Sequence, residues 1–148
     1  MTITEADTGR GIAEVSELSG LSPDTLRWYE REGLLPPIER APDGRRRYSD
    51  RTTAMVVMLA KLRATGMPTE EMREFARLLG GGAATHGRRL AILERQRLRI
   101  QARMHVLDEG LAALDTKAEH YRGLIEAGLD CDGVPVTPQV AVQQRLTT

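Results

Sequence analysis

The chain has 148 residues, 28% of them charged, and its 21 basic side chains balance 21 acidic ones, which suits one medium domain or a small domain with a long extension. A single cysteine, Cys131, excludes an intramolecular disulfide and a zinc site of several thiolates from one chain, and it fits a reducing cytoplasm. No stretch approaches the roughly 18–20 apolar residues of a membrane span, and no basic flank followed by an apolar run marks a signal peptide, so no membrane partner is expected.

Residues 1–9 read as a flexible N-terminus. Ile12, Val15 and Leu18 then fall at helical spacing, and Gly20 stops the run. In "LSPDTLRWYEREGLL", Ser22 is an N-cap, Pro23 suits the first helical position, Asp24 favours the helix dipole and Gly33 ends the helix. Two short helices, about 11–19 and 23–32, are thus joined by Gly20, Leu21 and Ser22, the spacing of a helix-turn-helix. Pro36-Pro37 cannot continue a helix. Residues 38–48 read as a hairpin turning at Pro42-Asp43-Gly44, and a hairpin in this place is a wing.

Ser49 caps a third helix, apolar at Met55, Val56, Met58, Leu59 and Leu62 and stopped by Gly66. Met67-Pro68-Thr69 opens a fourth, with Met72, Phe75, Leu78 and Leu79 on its apolar face. Gly80-Gly81-Gly82 reads as a hinge. From His86 onward, Leu90, Leu93, Ile100, Met104, Leu107, Leu111, Leu114, Ala118, Tyr121 and Ile125 fall on steps of three and four, if Arg97 fills the one gap. This is a heptad seam of five heptads on a helix about 55 Å long, which needs a partner helix; a second copy of the chain is the economical one. Gly110 inside it marks close helix contact or a bend. The tail, "LDCDGVPVTPQVAVQQRLTT", has two prolines and no helical apolar period, and reads as disordered or as docked on a dimer.

Net neutrality hides a segregation of charge. Residues 40–51 hold five arginines and two aspartates, and residues 86–103 hold six arginines and one glutamate. Residues 104–148 hold three basic and seven acidic residues. The second helix of the turn pair presents Thr25, Arg27, Trp28 and Arg31, which can reach base edges or phosphates, since arginine pairs with guanine or phosphate through two parallel hydrogen bonds. The wing adds Arg45, Arg46, Arg47 and Tyr48. Strand alternation puts Arg45 and Arg47 on one face and Arg46 with Tyr48 on the other, so not all three arginines need reach DNA; the Tyr48 hydroxyl at a strand end is a good phosphate donor.

The strings "IAEVSELSGLSPDTLRWYEREGLLPP", "GRRRY" and "LRATGMPTEEM" resemble the MerR family of bacterial transcription regulators over about residues 10–80, and the long helix fits that family too. "TLRWYEREGLL" carries the most specific part of the likeness. The resemblance implies a homodimer with antiparallel long helices, bound to a palindromic promoter between the −35 and −10 hexamers and working with RNA polymerase on an over-long spacer that it bends and untwists. It implies DNA contacts from Arg27, Arg46 and Tyr48, with Tyr29 supporting phosphate contacts or packing. Two departures are Arg45, where members often have an aromatic, and Pro68, where serine is the commoner cap.

The expected architecture is mainly α: a flexible N-terminus (1–9), a winged helix-turn-helix DNA-binding domain (10–80), a hinge and long antiparallel coiled-coil dimerisation helix (81–125) and a tail (126–148). Leu93, Ile100, Met104, Leu107, Leu111, Leu114 and Tyr121 are the dimerisation residues. An unknown small-molecule effector is expected, with no cofactor and no metal. Metal-sensing relatives pair cysteines near the end of the dimer helix, whereas Cys131 stands alone; it reads as a sensing thiol, an intersubunit ligand or a plain tail residue, with Asp130 and Asp132 opposing a reactive thiolate. "ALDTKAEHYRGLI" resembles the small subgroup linked to aldehyde and thiol stress. No constellation for catalysis appears, so an enzyme is not expected. Two other readings are an effector-independent DNA-architectural or repressor protein and a coiled-coil protein-interaction module.

Overall fold

The computed structural model describes residues 9–147, so the expectation for residues 1–8 lies outside it. Contacts divide the chain into two compact units, Met1–Leu98 and Arg99–Thr148.

The first unit begins with helices α1 (Ile12–Ser19) and α2 (Pro23–Arg31). Gly20 closes α1 in the left-handed region (φ 73°), and its N–H donates to the Ser16 carbonyl. That conformation suits glycine because it has no Cβ. The Ser16 hydroxyl donates to the Leu21 carbonyl at 2.6 Å, so the turn is stitched from both sides. Ser22 caps α2 by accepting the Thr25 N–H at 3.1 Å, and Pro23 fills the first turn. The wing is a two-residue pair, β1 (Glu39–Arg40) antiparallel to β2 (Arg46–Arg47), in the register Glu39 to Arg47 and Arg40 to Arg46.

Helix α3 (Asp50–Ala64) is capped by Ser49, whose hydroxyl oxygen accepts the Thr52 N–H at 3.1 Å. Helix α4 (Thr69–Leu79) starts at Pro68 with no side-chain cap. Helix α1 packs on α2 and α3, and α3 packs on α4. Val15, Leu26, Tyr29, Leu34, Tyr48, Val56 and Leu59 are the most deeply buried side chains at their centre. Each buried aliphatic residue of this size contributes about 1.5–3 kcal/mol.

A 3-10 turn, Gly82–Thr85, leads into α5 (His86–Ala127). The Thr85 hydroxyl donates to the Leu78 carbonyl at 2.6 Å and accepts from Arg89 Nε at 3.1 Å. The first unit continues past this point because Ile92 is buried in its core. Gln96 Nε2 also donates to the Thr65 carbonyl at 2.8 Å, satisfying an orphan acceptor at the end of α3.

In the second unit α5 runs unbroken through Gly110, with nothing within 4 Å of the position a Cβ would take there. Met104, Leu107, Leu111, Leu114 and Tyr121 are exposed, from 46% at Tyr121 to 68% at Leu114. The tail differs from the expectation. Leu129 bridges Pro135, and Thr137 caps a six-residue helix, α6 (Pro138–Gln143), through the Val140 N–H. Gln144 Nε2 then donates to the Leu129 carbonyl at 2.8 Å and closes the segment. Among the described residues no helix is long and apolar enough to cross a membrane.

Candidate nucleic-acid interface

The cap at Ser22 fixes the start of α2 and so the direction of its outward side chains. Thr25 serves that cap, its hydroxyl lying 2.9 Å from Ser22 Oγ. Arg27 is half-exposed and its Nη1 lies 2.7 Å from Asp24 Oδ1. Arg31 is exposed, with no ion pair among the described residues. Trp28 packs against the core edge, its ring tilted on Tyr29 at a centroid separation of 5.8 Å. Tyr29 is buried, its hydroxyl without a hydrogen-bond partner, so it packs rather than reaching the surface.

The wing turns at Gly44 (φ 81°), whose N–H donates to the Ala41 carbonyl, while Asp43 Oδ1 accepts the Arg45 N–H. Arg40 Nη1 also holds the Gly44 carbonyl at 2.9 Å. Side chains alternate as a strand requires, and the polarity of the alternation decides the site. Arg45 and Arg47 face outward and are exposed. Arg46 turns toward α2, and its Nε donates to Glu30 Oε2 at 3.1 Å, with about a fifth of each side chain exposed (21% and 20%).

Tyr48 corrects the expectation of a phosphate donor. It is 0% exposed, and its hydroxyl is buried without a partner. Burial pushes its phenol above the ordinary value, an effect that Arg46 partly opposes. The cause is a bridge that carries no sequence period. Arg10 and Tyr48 exchange both backbone hydrogen bonds, at 2.7 and 2.8 Å, which turns the tyrosine into the core. Arg10 also pairs with Asp50 and with Glu14, which tie the segment at Arg10 to α1 and α3. Asp50, and behind it Glu14, hold the Arg10 guanidinium above its ordinary value.

These elements enclose a basic recess of about 450 Å³. Arg27 from α2 and Arg40, Arg45, Arg46 and Arg47 from the wing line it, along with the first residues of α1. Helix α1 has no side-chain cap, so its free N–H groups add to the positive field. Sequence reasoning missed Arg10 and Arg40. Arg40 was visible as a basic residue in the first wing strand; the placement of Arg10 had no local signal. On the other side of α2, a second recess is of mixed charge, lined by Arg31 and Arg63 but also by Asp24 and the start of α4 with its acidic first turn. A surface like the basic recess binds an extended polyanion: arginine forks grip phosphate oxygens, and a helix N-terminus accepts a further one.

Cys131 belongs to the second unit. Cys131 is exposed in a tail turn in which Asp130 Oδ1 accepts the Asp132 and Val134 N–H groups. Among the described residues no group of three or more His, Cys, Asp or Glu could hold a metal ion.

Residues 11–48 match the model of the MerR family regulatory proteins. An uncharacterized HTH-type transcriptional regulator of Haemophilus influenzae is 33% identical over 110 residues, which cover 74% of this chain and 82% of that protein. The chain belongs to the MerR family. Two solved family structures share its fold. One is a Listeria monocytogenes protein assigned to the family, with TM-score 0.71, 35% identity, and coverage of 80% of this chain and 91% of that one. The other is HiNmlR, a MerR family regulator lacking the sensor domain and bound to promoter DNA, with TM-score 0.64, 31% identity, and coverage of 80% and 94%. The winged helix-turn-helix and the long helix after it are thus family features.

Proposed function

We propose that this chain is a promoter-binding transcription regulator, not an enzyme, working in the cytoplasm as a homodimer. The observation that carries the reading is the recess in which Arg27 of the recognition helix meets four wing arginines beside the free N–H groups of α1. Phosphate contacts there set the register of the domain on DNA, and α2 is left to read the major groove. Arg27 and Arg31 are its base-reading candidates, with Thr25 and Trp28 supporting the helix. Arg45 and Arg47 take phosphate directly. Arg46 acts partly through Glu30, and Tyr29 and Tyr48 act by packing.

The winged helix-turn-helix domain then spans residues 10–80, and residues 81–125 form the hinge and dimerisation helix. The seam of Leu93, Ile100, Met104, Leu107, Leu111, Leu114 and Tyr121 supports pairing with a second copy, which we propose is antiparallel, because a stripe this exposed is costly in water. Two recognition helices related by a two-fold axis read an inverted repeat, and contact with RNA polymerase follows if the site lies between the −35 and −10 hexamers.

Selection of binding sites from random-sequence duplexes with the full chain tests this reading. It should return an inverted repeat, with protection on both half-sites. A pool with no dyad, or no enrichment, would overturn it.

A further inference from the structure

A groove of about 640 Å³ lies between α3 and α4, away from the basic recess. Its walls are Ala54, Met55 and Met58 from α3 and Ala76 and Leu79 from α4. The exposed guanidinium groups of Arg51 and Arg77 also line it, and neither has an ion-pair or hydrogen-bond partner among the described residues. No carboxylate is among the lining residues. An apolar slot lined with two unpartnered cations complements one class of ligand, a small molecule with an apolar body and an anionic head. The volume falls within the range of about 300–1,000 Å³ typical of small-molecule sites, and methionine walls adapt to varied apolar shapes.

We propose that this groove binds a small amphipathic organic anion, such as a medium-chain carboxylate, with the chain between α3 and α4 and the head on Arg51 and Arg77. The groove reaches Gly80, the first of the three glycines before the 3-10 turn. Gly82 there holds φ 58°, and Arg89 Nη2 donates to its carbonyl at 3.0 Å. An occupant therefore bears on the joint that leads into α5. In that respect the proposal rests on the regulator reading, for which it names the effector class.

The test uses the full chain and the fluorescent anion 1-anilinonaphthalene-8-sulfonate, displaced by octanoate, decanoate, decanol or decylammonium. Saturable binding is expected, with the carboxylates displacing the probe better than decanol or decylammonium. Each added methylene should tighten binding about threefold to fourfold until the groove is full. Arg51→Gln with Arg77→Gln should weaken decanoate about tenfold or more and leave decanol unchanged. Ala54→Phe, at an exposed helix position, should block the probe while the fold is kept.

Absence of saturable binding, equal displacement by decylammonium, or unaltered binding in these variants would overturn the proposal. Displacement by a synthetic peptide of residues 128–148 but not by decanoate would assign the groove to a second copy's tail, and also overturn it. Decanoate should further change promoter occupancy at least threefold, an effect lost in the arginine double variant. Failure to bind any promoter, with anion binding intact, would sink the regulator reading alone.

Discussion

The ion pair between Arg46 and Glu30 joins the wing to the recognition helix, and its strength follows from its burial. The atoms are 3.1 Å apart, and about a fifth of each side chain is exposed (21% and 20%). Fully exposed pairs are worth about 0.2–1 kcal/mol, and breaking a fully buried one costs about 3–5 kcal/mol. A pair this sheltered should couple its partners by about 1–2 kcal/mol. Arg46→Gln and Glu30→Gln should each lower the urea midpoint by about 0.5–1 M, at the denaturant slope of a small domain. The double variant should lose little more than either single one. DNA affinity separates the two: Arg46→Gln removes a positive charge from the recess and should weaken binding, whereas Glu30→Gln leaves the arginine in place. The assay is urea unfolding of all four proteins followed by circular dichroism. Single losses that add to within about 0.3 kcal/mol would refute this coupling.

Three further outcomes follow from named contacts. Tyr48→Phe removes a buried hydroxyl with no partner, so at neutral pH it should leave DNA affinity unchanged and stability equal or up to about 1 kcal/mol higher. The folded phenol is raised above its unfolded value, so its titration leaves stability untouched below about pH 10 and lowers it as pH rises through the folded value. Wild type should lose more stability than Tyr48→Phe above that pH, and identical alkaline unfolding curves would count against this burial. Leu111→Asp puts a charge at the middle of the exposed seam and should weaken self-association at least a hundredfold by sedimentation; an unchanged dimer would move the interface elsewhere. Gly81→Ala would place a Cβ 2.4 Å from Thr85 Cγ2 and should cost about 1–3 kcal/mol. Adding Thr85→Ser, which removes that methyl and keeps the hydroxyl, should recover most of the loss in thermal unfolding.

The helix-turn-helix was legible because its signals are local. Gly20, Ser22 and Pro23 each act within four residues, and every one appears in the geometry expected of it. The wing turn at Gly44 was legible for the same reason. The orientation of the wing was not. Alternation separates Arg45 and Arg47 from Arg46 and Tyr48, but it does not say which pair faces the core. That choice is made by the bridge between Tyr48 and Arg10, which lie far apart in the chain.

The extent of the first compact unit had a faint signal in Ile92, an apolar residue off the heptad seam that proves buried. The tail helix has a local signal that is not an apolar period: Thr137 before Pro138 is a cap followed by a first-turn proline. The groove between α3 and α4 is assembled from two helices whose apolar residues each read simply as core, and no single segment announces it.

The most direct test of the central claim is the salt dependence of binding to a selected inverted repeat. Two copies of the basic recess, each gripping about three phosphates, predict that log K falls with log salt at a slope of about −5. Replacing Arg45 and Arg47 with Gln in each copy should bring that slope toward about −2. A slope near zero, or one that the two substitutions leave unchanged, would contradict the account.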